Sequence, residues 1–502
     1  MLQLHHLLLL LPLLLPLYGA IFCLFSWNRV NLQMAIACVI QLAMVVASGA
    51  LLYAVNHEGI LVTQLGNWPA PFGITLVADL FSALMVVTAS ITGAAVVLFS
   101  LRGLDLPRQD YGYYPLILML QMGVAGVCLT GDLFNLFVWF EVLLICCFVM
   151  ITLGGTKPQL EGAIKYVTIN ILASGLLLTG IGVVYGITGS LNMAELAMLV
   201  RMPSINKSLF LMASTFFIVS LGIKAALFPL FFWLPASYHT PPIAISSFIG
   251  GLLTKVGIYA MIRLFTLIFV VEQELILAFF TITAGFTMVI GVLGAAAHYD
   301  FRKILSFHIV SQIGYMLMGL AIFTTLSIAG TILFIVHNVF VKTNLFLVSG
   351  VVGRLKGSFD LKKLGSQYLQ RPFLALLFLI SALALAGLPP LSGFWPKFIL
   401  VKAGLEAEQY TIVGVSLCVS IITLFSMTKI WNEVFWKKQP ETDETEPDAD
   451  RLTKALLYAP IIFLALCILY IGLNAEAAIG LAYRAAEQVL NTDLYINAVL
   501  NR

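Results

Sequence analysis

The stretch Lys224-Ala-Ala-Leu-Phe-Pro229-Leu-Phe-Phe-Trp-Leu-Pro235 interrupts one long apolar segment, and Pro389-Pro390-Leu-Ser-Gly-Phe-Trp-Pro396-Lys397 interrupts another. Both contain Pro-Leu-x-x-aromatic-x-Pro at one spacing, Pro229 to Pro235 and Pro390 to Pro396. A proline removes a backbone donor and its ring clashes with the preceding turn, so a spanning helix must break there. Irregular backbone at membrane depth persists only where protein buries it or where it lines a wet cavity. A broken helix in each of two halves is the sequence pointer to a transport site. The lysine beside each break, Lys224 and Lys397, implies a path that handles charge.

Composition agrees. The 502 residues are 61% hydrophobic and 10% charged, with mean hydropathy +1.01. A soluble protein carries about 25% charged residues, so the expected fold class is all-α, a polytopic transmembrane helix bundle with the lipid bilayer as its solvent. A net charge of +3 and the absence of basic runs with interleaved aromatics exclude a nucleic-acid partner. The seven cysteines, Cys23, Cys38, Cys128, Cys146 and Cys147 among them, are scattered without C-x-x-C. They read as small buried hydrophobes. With no paired histidines across helices, they argue against an enzyme holding haem or quinone, and no cofactor is expected. The N-terminal apolar run is flanked by His5-His6 rather than Lys or Arg. It is read as a first membrane helix, not a signal peptide.

Runs long enough to cross at about 20 residues each fall near 7–26, 32–55, 74–101, 114–130, 131–153, 162–186, 208–232 and 243–266. The remainder fall near 275–297, 304–322, 326–351, 373–403, 410–433 and 455–475, making about fourteen spans. Alternate loops then hold Arg29; Arg102 and Arg108; Lys157 and Lys165; Arg302 and Lys303. They continue with Arg354, Lys356, Lys362, Lys363 and Arg371, then Lys437, Lys438, Arg451 and Lys454, in all 16 of the 27 basic residues. The opposite set has only Arg201, Lys207, Arg263, Lys402, Arg484 and Arg502. The positive-inside bias places the first set in the cytoplasm and both termini outside, for a multi-pass protein of the cell's cytoplasmic membrane. The acidic run 440–450 reads as a solvated cytoplasmic linker.

Seven ionisable groups stand out inside spans: Glu141, Lys224, Lys255, His308, His337, Lys342 and Lys397. Each central charge costs on the order of 2.5–3.5 kcal/mol on insertion scales. They must therefore face the bundle interior, pair, or shed their charge. Burial disfavours a charged group and pairing favours it, and that opposition makes a switchable proton site. If Glu141 closes on Lys224 the ammonium persists; if the pair opens, the proton passes to a neighbour. Every intramembrane cation in this reading is Lys or His, which release protons, and none is Arg, which does not. Duller readings exist for each. Glu141 and Lys224 could form a static packing pair, Lys255 could serve close packing near Gly250-Gly251, His308 could be interfacial, and Lys397 could snorkel. His337 and Lys342, five apart, point in different directions on a regular helix. Asp79 and Asp132 read as caps or mouth residues, and the tryptophans as anchors or packing.

The segments Gly222-Ile-Lys224-Ala-Ala-Leu-Phe-Pro-Leu-Phe-Phe-Trp-Leu-Pro-Ala-Ser-Tyr-His-Thr-Pro-Pro242 and Leu253-Thr-Lys255-Val-Gly-Ile-Tyr-Ala resemble the proton-conducting antiporter subunits. These are the Mrp-type multisubunit Na+/H+ antiporters and the related membrane-arm subunits of respiratory NADH dehydrogenase. The segments His337-Asn-Val-Phe-Val-Lys342-Thr-Asn-Leu-Phe and Leu388-Pro-Pro-Leu-Ser-Gly-Phe-Trp-Pro-Lys397-Phe extend the resemblance, which is nearest to the D-type Mrp subunits. The resemblance implies two inverted five-helix repeats, 114–266 and 275–433, each with a broken helix. It implies Glu141 with Lys224 as an ion-pair switch, Lys255 as a bridge between halves, His337 and Lys342 as central relay, and Lys397 as terminal group. It further implies H+ and Na+ as cargo and the A-, B-, C-, E-, F- and G-type Mrp subunits as partners. Respiratory M-type subunits typically carry glutamate at the Lys397 position and N-type subunits lysine at the Glu141 position; neither swap occurs here. A proton-pumping subunit of a respiratory or hydrogenase complex is the alternative. No carboxylate and carbonyl cluster in the sequence identifies a Na+ site.

Overall fold

The computed structural model describes residues 2–203, 205–438 and 450–500; most of the acidic run 440–450 lies outside the described residues. Among the described residues twelve helices are long and apolar enough to cross a membrane, and the shorter apolar helices Tyr113–Leu129 and Pro372–Ala386 bring the number to the fourteen expected. Three of them, Ile243–Leu267, Phe301–Ile322 and Thr325–Lys356, are almost wholly enclosed, whereas Leu133–Thr152, Lys157–Thr188 and Gln273–Ala297 leave one side bare. The enclosed three are also the less apolar, with mean hydropathy 1.5, 1.5 and 1.7 against 2.4, 2.0 and 2.2 for the other three, as expected where polar side chains face the bundle interior. The three central helices carry Lys255, His308, His337 and Lys342.

The span expected from residue 74 begins later. Thr75–Ala78 is a strand, β2, paired antiparallel with β1, Leu61–Gln64, and the helix starts at Leu80. Asp79 caps it: its carboxylate accepts from the Ser82 backbone N–H at 2.8 Å, and the Ser82 hydroxyl accepts from the Asp79 N–H. Asp132 caps Leu133–Thr152 in the same way, accepting from the Asn135 N–H at 2.7 Å. Beyond the fourteenth span, Arg451–Leu473, two further helices fold back, Ala475–Leu490 and Thr492–Leu500.

Both proline motifs break helices. Lys207–Ala225 ends with Ala226 at φ 62°, and helix resumes only at Trp233–Ser237. Pro372–Ala386 ends with Gly387 at φ 90° and resumes at Phe394–Glu406. Gly387 is required twice over, by its left-handed φ and because an added Cβ would lie 2.8 Å from the Lys397 Cδ. Each break is tied by a tryptophan. The Trp233 Nε1 donates to the Ile223 carbonyl at 3.0 Å, and the Trp395 Nε1 to the Gly472 carbonyl at 2.9 Å. Both rings serve the irregular backbone rather than the lipid interface.

The helix ends carrying Arg102, Arg302 and Arg354 surround one cavity with Asn31, Thr156, Pro242 and Thr453, so the basic ends share a face. The other face gathers the β-hairpin, the Asp132–Asn192 bridge and the Arg201–Asp493 ion pair at 2.8 Å. His6 reaches Thr63 there at 2.8 Å, which places both described ends of the chain opposite the basic face.

Candidate functional site

Lys224 sits in the last turn before the first break, where the helix leaves its final carbonyls without intrahelical donors. Its Nζ donates to the Ser174 hydroxyl at 3.1 Å and lies 4.8 Å from the Phe140 ring centre. A cavity of about 20 Å³ adjoins it, lined by Phe140, Tyr166, Asn170 and Trp233, room for about one water. Glu141 is within electrostatic reach of Lys224, but no ion pair joins them among the described residues. The Glu141 Oε1 is buried without a hydrogen-bond partner. The two groups are neighbours in an open arrangement.

The backbone of the first break rests on the helix of Lys255. A Cβ on Gly257 would stand 3.0 Å from the Ala225 nitrogen, tighter than an ordinary contact, so glycine lets the broken backbone lie close to this helix. Lys255, fully buried, donates to the Gly250 carbonyl at 3.0 Å. Lys342 donates to the Leu305 carbonyl at 3.3 Å and lies within electrostatic reach of both Lys255 and Lys397. His308, three residues past Leu305, is fully buried rather than interfacial, its Nε2 2.9 Å from the Ser426 hydroxyl.

His337 and Lys342 do point to different partners, and the helix between them is continuous. The His337 Nδ1 lies 2.7 Å from the Ser392 hydroxyl inside the second break. Gly393 packs on the same ring, where a Cβ would meet the His337 Nε2 at 2.8 Å. Lys397 turns inward and does not snorkel. Its Nζ donates to the Leu385 and Ala386 carbonyls at 3.1 and 2.9 Å and to the Ser420 hydroxyl at 3.2 Å. Those carbonyls belong to the last turn before the break, the negative end of a half-helix, where a cation is favoured. The Tyr315 ring lies 4.9 Å beneath this ammonium, and its hydroxyl reaches Ser420 at 2.7 Å.

Sequence reasoning misses further polar side chains on the three enclosed helices. Thr254 Oγ1, both amide atoms of Gln312, both of Asn338, the Asn344 Oδ1, the His308 Nδ1 and the His337 Nε2 are buried without protein partners. Buried polar atoms are almost always bonded to protein or ordered water, so this row suits bridging waters. Spacing holds a signal for two of them: Gln312 follows His308 by four residues, and Asn338 precedes Lys342 by four, each on its partner's helix face.

One expectation is corrected. Arg263, placed in an outer loop from the sequence, lies inside Ile243–Leu267, so an intramembrane arginine does exist. It pairs with Asp79 at 2.5 Å, the two side chains 7% and 1% exposed. The rings of Tyr259 and Tyr495 flank the guanidinium. A guanidinium holds its proton, so this pair anchors two helices rather than relaying. Asp79→Asn should leave Arg263 buried and uncompensated, a loss of roughly 3–5 kcal/mol. The thermal midpoint of the purified protein should fall, and the double change Asp79→Asn/Arg263→Gln should recover part of it. A midpoint unchanged in the single variant would show that the pair carries no structural load.

Residues 130–423 match the family described as NADH:quinone oxidoreductase/Mrp antiporter, TM. The fold is shared with a chain of the Mrp complex from Dietzia sp., TM-score 0.91, 30% identity, 99% of each chain covered. It is shared equally with a chain of an archaeal membrane-bound sulfane sulfur reductase, TM-score 0.91, 25% identity, covering 99% of this chain and 100% of that one. The fourteen-span bundle with its two broken helices is thus a fold shared by chains of multisubunit membrane complexes. The D-type subunit of the Na(+)/H(+) antiporter of Alkalihalophilus pseudofirmus is 46% identical, covering 98% of this chain and 99% of that protein. The Bacillus subtilis protein of the same name is 39% identical over 98% of both. The chain belongs to the NADH:quinone oxidoreductase/Mrp antiporter membrane-subunit family, within its branch of D-type Na+/H+ antiporter subunits.

Proposed function

We propose that this chain is the proton-translocating subunit of a multisubunit monovalent cation (Na+)/H+ antiporter, a secondary transporter subunit rather than an enzyme. In this reading protons move along Glu141, Lys224, Lys255, His308, His337, Lys342 and Lys397, with waters bridging the buried amides between them. The two five-helix segments 114–266 and 275–433 act as inverted repeats, each supplying one broken helix. The chain sits in the cytoplasmic membrane with its basic face inside and both termini outside. Other Mrp-type subunits of the A, B, C, E, F and G classes complete the cation path, since a relay lying in the membrane plane needs neighbours to receive its charge.

The observation that carries this reading is the Lys397 ammonium held on the open carbonyls of Leu385 and Ala386. A cation there is bound by dipoles and not by a fixed carboxylate, so it can lose its proton without stranding a counter-charge. The full-length D-type relatives support the antiporter over a respiratory pump, although the fold also serves an archaeal respiratory complex. Dye-monitored Na+/H+ exchange in vesicles tests it. Exchange should require this subunit together with its companions, and full-rate exchange by this subunit alone would refute the shared-path reading.

A further inference from the structure

On the basic face a cavity of about 990 Å³ opens between helix ends, apart from the lysine row. Among the described residues four guanidiniums line it, Arg102, Arg108, Arg302 and Arg354, against the single carboxylate of Asp105. Asp105 is already engaged, accepting from the Arg108 Nη1 at 2.7 Å. Backbone satisfies part of the remainder. The Arg354 Nη1 donates to the Arg102 carbonyl, and the Arg302 Nη1 to the Pro241 carbonyl at 3.2 Å. The Phe359 ring lies 3.8 Å from the Arg302 guanidinium and fixes its plane. Yet the Nε of Arg108 and the Nε of Arg302 are both buried with no acceptor among the described residues.

Two penalties therefore meet in one space: guanidinium N–H groups without acceptors, and like charges gathered around a common void. Among the described residues, the nearby carboxylates do not remove them. Asp300, within reach of Arg302, accepts from the Lys303 N–H at 2.9 Å, and Asp450, within reach of Arg102, stands outside the lining. An anion with several oxygens relieves both penalties, and the planar fork of arginine matches phosphate better than lysine does.

Depth and the apolar wall choose the source of the phosphate. Arg102 and Arg354 sit at the final turns of spanning helices and Arg302 at a first turn, the level of bilayer headgroups. The same cavity is walled by Met34 and Leu456, which offer acyl chains a surface and a free anion nothing. Basic pockets between helix ends are suited to anionic lipid headgroups. We infer that this cavity is a binding site for an anionic phospholipid, its phosphate held between Arg108 and Arg302 and its chains against the Met34 wall.

The complete complex, purified in mild detergent, is incubated with phosphatidylglycerol, with phosphatidylcholine, or with phosphatidylglycerol plus excess inorganic phosphate. Lipid retained on this subunit is then read by native mass spectrometry. The wild type should retain phosphatidylglycerol over phosphatidylcholine and keep it against inorganic phosphate. Arg302→Gln also loses the Pro241 and Phe359 contacts, so the deciding variants are Arg108→Gln and Met34→Trp, the second filling the wall with every arginine in place. Each should lower retention about tenfold, the loss of one charge-assisted pair or its equivalent in packing. Equal retention by the variants, or equal retention of both lipids, would overturn the site. Displacement by inorganic phosphate would reassign it to a free anion and overturn the lipid.

Discussion

Lys397→Ala should reduce Na+-coupled proton movement by roughly 10²–10⁴-fold, the contribution expected of a positioned proton-transfer group. The Lys397 Nζ makes three hydrogen bonds, two to carbonyls freed by the second break and one to Ser420. Removing it leaves acceptors unpaired, at about 1–3 kcal/mol for each buried group, so complex abundance must be measured beside transport. Lys397→Arg separates the two effects. A guanidinium can satisfy the carbonyls but does not release its proton. The arginine variant should assemble normally and still fail to exchange Na+ for H+. Wild-type exchange in Lys397→Arg would show that only a fixed positive charge is needed at this position.

Glu141→Ala and Lys224→Ala should each abolish cation efflux with the protein still in the membrane. The ammonium is held by Ser174 and the Phe140 face, while the Glu141 Oε1 is buried without a partner. A pair that is close but unclosed can work as a switch; a closed pair in a dry site would be a static fastener. Removing either member leaves the other charge buried alone, a state that is strongly disfavoured. The double variant Glu141→Gln/Lys224→Met should therefore transport no worse than either single change, because residues acting as a unit are not additive. Additive losses in the double variant, or wild-type efflux in a single one, would leave the switch without support.

Much of the architecture can be read from residues alone because the bilayer is a demanding solvent. Twenty-residue apolar runs have one use, and Pro229, Pro235, Pro390 and Pro396 cannot continue a helix, so the spans and breaks follow from local chemistry. The failures have local causes too. Thr75-Leu-Val-Ala runs straight into the apolar helix that follows, and a four-residue apolar strand is indistinguishable from the first turn of that helix. Arg263 reads as a loop residue because basic residues near helix ends usually lie there. Its partner Asp79 is 184 positions away, a distance no periodicity reveals. The helix Ala475–Leu490 is strongly amphipathic rather than uniformly apolar, so a search for spans passes over it. Among the buried groups the charged members stand out by their cost in lipid. The hydroxyls that receive them, Ser174, Ser392, Ser420 and Ser426, look like ordinary small helix residues until neighbouring helices are in place.

Lys342 lies within electrostatic reach of both Lys255 and Lys397, and in the proposed relay a proton passing from one to the other goes by way of it. The decisive measurement is proton movement driven by an imposed Na+ gradient in vesicles holding the whole complex with Lys342→Ala. Proton and Na+ fluxes should stop together while all subunits remain assembled. Proton movement at the wild-type rate without that ammonium would mean that the buried row is not the conduit.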